Sequence, residues 1–161
     1  MKSKLIVMSL LTTVMSFFGC GACAQMPQGA LQELRYTKSG MMAGYAHYVH
    51  LEQSDSAGIV LRAQQESYGQ LYEKKLTEAE LQGFVKIIEE EQMYAYAERY
   101  EPPFEVLDGY MWSFNARFAD KSISSHGSNA RPGGNGLERI REYSAQLVKD
   151  GKPFEGVPED W

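Results

Sequence analysis

Nine consecutive positions constrain this chain more than any other stretch. Tyr110, Trp112, Phe114, Ala116 and Phe118 alternate with Met111, Ser113, Asn115 and Arg117. Successive side chains on a β-strand point to opposite faces, so a period of two gives one nearly all-aromatic face and one polar face. Burying that many rings requires an apolar layer against one side of the strand. A strand so loaded is expected well inside a sheet, with the polar partners facing partly solvated surroundings.

The rest of the pattern supplies that sheet and the layer. Tyr45, His47, Val49 and Leu51 alternate with Ala46, Tyr48, His50 and Glu52, and the turn-forming residues 53–58 lead to Ile59-Val60-Leu61. This predicts a hairpin. Leu34-Arg35-Tyr36 predicts a strand before it, residues 71–75 a short one after it, and residues 122–125 a strand pairing back on the aromatic one. Thr77-Glu78-Ala79-Glu80 is a capping box, with Leu81, Phe84, Val85 and Ile88 at helical spacing behind it, so a helix is predicted over 78–92. Leu137, Ile140, Tyr143, Leu147 and Val148 predict a second, ending near Gly151. The hairpins favour an α+β fold: an antiparallel sheet of about five to six strands with two helices packed on one face. One domain over 30–150 is expected, preceded by a flexible segment 25–29 and followed by a tail 151–161.

The N-terminus reads as a leader. Lys2 and Lys4 precede an apolar run over 5–18, and small residues end at Ala22-Cys23-Ala24. A charged n-region, an h-region and an Ala-x-Ala site make a signal peptide over 1–24. A run of fourteen residues falls short of a spanning helix. No transmembrane span is expected after processing. Cleavage after Ala24 would release a periplasmic or extracellular protein. Lipidation of Cys20 would instead leave a membrane-anchored lipoprotein, although Phe17 and Phe18 fit a lipobox poorly.

Processing simplifies the chemistry. Cys20 and Cys23 are the only cysteines, and both lie in the leader. The remaining 137 residues hold no thiol, which excludes disulfides, a catalytic cysteine and a cysteine-ligated zinc. Loss of Lys2 and Lys4 takes the net charge from −5 to −7. Phosphate backbones and anionic bilayers are repelled by such a surface, so no nucleic-acid partner is expected. No nucleotide, flavin, haem or zinc signature is present, and no cofactor or metal is expected.

One stretch stands out. Trp112-Ser113-Phe114 is followed by an acidic turn and by Ser124-Ser125-His126-Gly127-Ser128-Asn129-Ala130-Arg131-Pro132, ahead of the second helix. Pro102-Pro103-Phe104 and Leu107-Asp108-Gly109 precede it. The combination resembles a family of small secreted or lipid-anchored bacterial domains with a WSF…SSxGSNAxP-like motif and no assigned activity. The resemblance covers roughly 30–148 and assigns no residue a role. It departs at Asp120-Lys121, where Asp-Gly would make the tight turn.

Chemically, Ser125, His126, Ser128, Asn129 and Arg131 bring polar groups into a loop expected over 126–136, next to Trp112. A loop of this kind can bind an anion through backbone N–H groups and the helix dipole, with Arg131 adding a fork for carboxylate or phosphate. Alternatively Gly127, Ser128 and Asn129 make a turn that caps the second helix. Ser125 and His126 are adjacent on a strand and face opposite ways, which opposes a direct nucleophile–base couple, and no Gly-x-Ser-x-Gly elbow exists. His47 and His50, three apart on a strand, also face opposite ways and cannot share one metal. Tyr94, Tyr96 and Tyr100 either form an aromatic platform or pack the helix end. The run Glu89-Glu90-Glu91 reads as a solvated helix face.

Together these readings point to an exported non-enzymatic domain that binds a small ligand or a protein partner at the cell envelope. The alternative is an enzyme acting on an extracytoplasmic substrate through the 124–131 loop.

Overall fold

The computed structural model describes residues 24–40, 44–104, 106 and 109–156. Except for Ala24, the expected leader lies outside them, including Cys20, and so do the last residues of the tail. The strands are β1 (Leu31–Ser39), β2 (Tyr45–Ser54), β3 (Gly58–Gln64), β4 (Leu71–Lys75), β5 (Arg99–Tyr100), β6 (Met111–Phe118), β7 (Ser122–Ser128) and β8 (Lys152–Pro153). Two helices, α1 (Glu78–Glu90) and α2 (Gly136–Leu147), complete the α+β fold. Short 3-10 turns, Met93–Ala95 and Val148–Asp150, follow them.

All eight strands form one sheet in the order β5-β7-β6-β1-β2-β3-β4-β8. The expected five to six antiparallel strands are therefore corrected to eight in a mixed sheet. The six longer strands do pair antiparallel. Both additions are two residues long, too short for any periodicity to register. β5 runs parallel to β7, with Arg99 opposite His126. It reaches that edge from the helix layer rather than through a hairpin, so nothing obliges it to run antiparallel.

Register decides which side chains meet. Leu34, Tyr36 and Lys38 of β1 stand opposite Ala116, Phe114 and Trp112 of β6. Across the other edge, Ser125 and Gly127 of β7 oppose Phe114 and Trp112. Trp112, Phe114, Ala116 and Phe118 are all buried, so the aromatic strand lies in the sheet interior as its pattern requires. Leu51, Leu61 and Ala63 continue the same core, which α1 closes with Leu81, Phe84 and Ile88 and α2 with Ile140. α2 lies over β1, β2 and β3 and packs on α1. The Phe84 and Tyr143 rings meet edge-on at 4.9 Å, and the Tyr143 hydroxyl donates to the Glu80 carbonyl at 3.0 Å. Gly83 makes room for it, since a Cβ there would lie 2.2 Å from that hydroxyl.

The opposite face of the sheet is polar. Arg62 donates to Glu73 at 2.7 Å and to Glu52 at 3.0 Å, while Thr37 and Ser113 share a hydrogen bond at 2.9 Å. The end of the segment 25–29 is hydrogen-bonded to the turn after β6. The Gln28 and Gly29 N–H groups donate to the Asp120 carboxylate, each at 2.8 Å. Asp120-Lys121 turns without glycine because no residue of that turn has a positive φ, and the Phe118 N–H closes it on the Lys121 carbonyl at 2.8 Å.

α1 starts on its capping box: Thr77 Oγ1 accepts from the Glu80 N–H at 3.2 Å, and the Glu80 carboxylate accepts from the Thr77 N–H at 2.8 Å. That backbone bond, then the Lys74 ammonium at 2.9 Å, holds the Glu80 carboxyl below its ordinary range. A depressed carboxylate stabilises the fold above its unfolded pKa, and the contribution disappears as pH falls through the lower folded value. Thr77→Ala is expected to cost about 1 kcal/mol in urea unfolding at neutral pH. Part of the loss should disappear on acidification, because the Thr77 hydroxyl also donates to the Glu80 carboxylate at 3.0 Å and that bond weakens once Glu80 is protonated.

Candidate functional site

The segment 124–131 is not one loop. β7 continues through His126, Gly127 and Ser128, because these residues pair with β6 on one side and β5 on the other. Pairing turns alternate side chains to opposite faces. Ser125 is buried on the helix side, where its hydroxyl donates to the Ala97 carbonyl at 2.7 Å and pins the segment entering β5. His126 is exposed on the polar face.

Beyond β7 the chain is bound to the start of β6. Asn129 adopts a left-handed conformation (φ 53°). Its Oδ1 accepts from the Tyr110 N–H at 2.9 Å, and its own N–H donates to the Tyr110 carbonyl at 2.9 Å. Its Nδ2 donates to the Ser128 hydroxyl at 3.3 Å. Gly109 leaves space for this side chain, since a Cβ there would lie 1.6 Å from Oδ1. The Trp112 indole N–H donates to the Ala130 carbonyl at 2.7 Å, and Gly127 sits where a Cβ would meet that ring nitrogen at 2.6 Å.

These bonds correct the expectation that Gly127, Ser128 and Asn129 cap α2. That helix begins at Gly136, and its N-cap residue Asn135 makes no side-chain capping bond. Glu91, from the acidic run at the end of α1, takes the role. Its carboxylate accepts from the Asn135 N–H at 3.1 Å and from Arg139 at 2.9 Å, while Glu90 accepts from Arg139 at 2.8 Å. The run expected to be solvated thus joins the two helices.

Between β1, the start of β6 and the start of α2 lies a cavity of about 350 Å³. Its walls are the rings of Tyr36, Tyr96, Tyr110 and Trp112. Lys38 comes from β1, Arg131 and Pro132 from the loop, and Leu137 and Glu138 from the first turn of α2. Pockets of this size are the lower end of those that enclose small organic molecules. Gly136 lets α2 begin against the aromatic wall, since a Cβ there would lie 2.5 Å from the Tyr96 hydroxyl.

The electrostatics of this cavity are uneven. Glu138 accepts from Arg141 at 2.9 Å, and that bond above all holds its carboxyl below the ordinary range. Lys38 Nζ lies 4.7 Å above the Tyr110 ring. Among the described residues, no carboxylate forms an ion pair with Lys38 or Arg131. Burial pushes the Tyr96 phenol up to about 12 and raises Tyr36 further. Both therefore remain neutral hydroxyls at any physiological pH.

Of the six residues singled out from the sequence, Trp112 and Arg131 line this cavity. Ser125 and Asn129 hold the β5–β7–β6 corner together. His126 and Ser128 line a groove on the far side of β7, beside Tyr100 and Met111. Tyr96, weighed from the sequence as part of an aromatic platform or as packing at the helix end, lines the cavity, whereas Tyr36, Lys38, Tyr110 and Glu138 carried no signal of a site. The shared parity of Tyr36 and Lys38 was available, but nothing local showed that β1 would pair with β6. His47 and His50 fall on opposite faces. His47 lies 3.4 Å from Ser67, and its pKa is lowered by burial, then by Arg141 and Lys38. His50 stands 3.6 Å from Glu33 on the polar side. Tyr96 and Tyr100 meet edge-on at 6.4 Å, and Tyr100 lies 5.8 Å from Trp112. Among the described residues no group of three side chains could hold a metal ion, and no helix is long and apolar enough to cross a membrane.

Asn129→Ala removes the acceptor for the Tyr110 N–H and is expected to lower stability by about 1–2 kcal/mol in chemical unfolding. Arg131→Ala, at an exposed position, should stay within about 0.5 kcal/mol of the parent.

No protein-family model and no curated protein matches the chain.

Proposed function

We propose that this chain is an exported, non-enzymatic binding domain of the cell envelope, and that its ligand occupies the cavity between β1, β6 and the start of α2. The observation that carries this reading is the pairing of an aromatic-walled cavity with two cations, Lys38 and Arg131, that form no ion pair among the described residues. Cations outside any ion pair, in a partly enclosed cavity with aromatic walls, suit an organic anion, because charge-assisted hydrogen bonds strengthen where water is scarce. The acidic leaning of the chain as a whole makes their placement selective rather than general. The leader and the thiol-free body support an extracytoplasmic location.

The alternative, an enzyme working through the 124–131 loop, has less support. The Ser125 hydroxyl is spent on the Ala97 carbonyl, and His126 projects from the other face of the sheet. No nucleophile–base pair is assembled from those two residues.

Anilinonaphthalene sulfonate, an anionic aromatic dye, is a suitable probe. It is expected to bind the native protein with a rise in dye emission, and Arg131→Ala and Lys38→Ala should each weaken binding about ten-fold. Unchanged binding in both variants would move the ligand site elsewhere.

A further inference from the structure

We infer that the ligand of this cavity is an acidic sugar, a pyranose carrying one carboxylate. The inference rests on the cavity being a ligand site and names the chemistry that fits it.

Four features narrow the choice. First, about 350 Å³ is far more than a bare inorganic anion fills, so the ligand has a body. Second, that body meets a wall of aromatic residues, of which Tyr96 and Tyr110 are half-buried while Tyr36 and Trp112 show little surface, and aromatic side chains with a polar handle suit a surface that is apolar on its flats and hydroxylated at its rim. The C–H faces and equatorial hydroxyls of a pyranose have that character. Third, the polar groups around the walls are neutral phenols and the N-terminal turn of α2, which serve hydroxyls rather than a purely hydrocarbon ring. Fourth, the charge count favours a monoanion. Lys38 and Arg131 attract negative charge, but Glu138 stands in the same wall as a carboxylate. Two cations set against that one carboxylate leave a charge that a single ligand carboxylate balances, and Glu138 repels each further negative charge on the ligand. Arg131 offers the planar fork that a carboxylate, like a phosphate, accepts in two parallel bonds, so the charge balance is what separates the two.

The test uses a Trp161→Phe background, so that Trp112 is the one indole reporting, together with titration calorimetry. Four ligands separate the arguments: D-glucuronate, D-glucose, D-glucose-6-phosphate and benzoate. Trigalacturonate distinguishes a free sugar from a chain end, and binding of either acid supports the inference. D-glucuronate is expected to bind tightest, with D-glucose weaker by about ten- to a hundred-fold because it lacks the charge-assisted bond to Arg131. Arg131→Ala should bring D-glucuronate down to the level of D-glucose while leaving the unfolding midpoint in place. Glu138→Gln should narrow the gap between D-glucuronate and D-glucose-6-phosphate. Equal or tighter binding of D-glucose, D-glucose-6-phosphate or benzoate overturns the assignment. If no sugar acid binds while the anionic dye still binds in an Arg131-dependent way, the ligand class is wrong and the cavity remains the site. If neither binds, both readings fail.

Discussion

The indole of Trp112 is the group on which the arrangement of this molecule turns. Its ring must be buried for β6 to contribute its apolar face to the core. A buried N–H without an acceptor would cost about 1–3 kcal/mol. The acceptor found is the Ala130 carbonyl, and reaching it requires the chain after β7 to fold back over the strand. Gly127 makes the approach possible, and Asn129 holds it with its pair of bonds to Tyr110. Arg131 then follows immediately, at the mouth of the cavity whose wall the same indole forms. One hydrogen-bond requirement therefore links core packing to the position of a binding group.

Parity carries the constraint across the sheet. A slip of one residue between β6 and β1 would turn every ring of β6 toward the polar face. The observed register sets Trp112 beside Lys38 and Phe114 beside Tyr36. Lys38 lies on the core-facing parity, yet it stands at the end of the strand, where the core opens into the cavity. Its stem borders that space and its ammonium rests on Tyr110, as amphipathic side chains do at such boundaries.

Carboxylates are distributed so as to leave that region positive. Glu52 and Glu73 engage Arg62, Glu33 engages Arg117, and Glu90 and Glu91 engage Arg139. Exposed pairs of this kind contribute little to stability individually. Their larger effect is on location, because these acids are committed elsewhere and leave Glu138 as the carboxylate that stands against Lys38 and Arg131 in the cavity wall. Glu91 has a second consequence: by accepting from the Asn135 N–H it sets where α2 begins, and so where Leu137 and Glu138 meet the cavity.

Local pattern was enough to determine the α+β class, the six longer strands, both helices and the capping box of α1, because each rests on periodicity or on contacts within four residues. The opposite orientations of Ser125 and His126, and of His47 and His50, followed from the same period of two. Tertiary structure alone decided the two short edge strands, the extension of β7 through Ser128, the role of Glu91 at α2 and the membership of the cavity. β5 exists because β7 offered an open edge, and a two-residue pairing carries no signal of its own. Tyr36 and Lys38 of β1 lie far along the chain from Tyr96 and from Glu138, and they share a wall only through the β1–β6 register and the seating of α2. Sequence could identify Arg131 and Trp112 as chemically distinctive, but long-range pairing determined what they face.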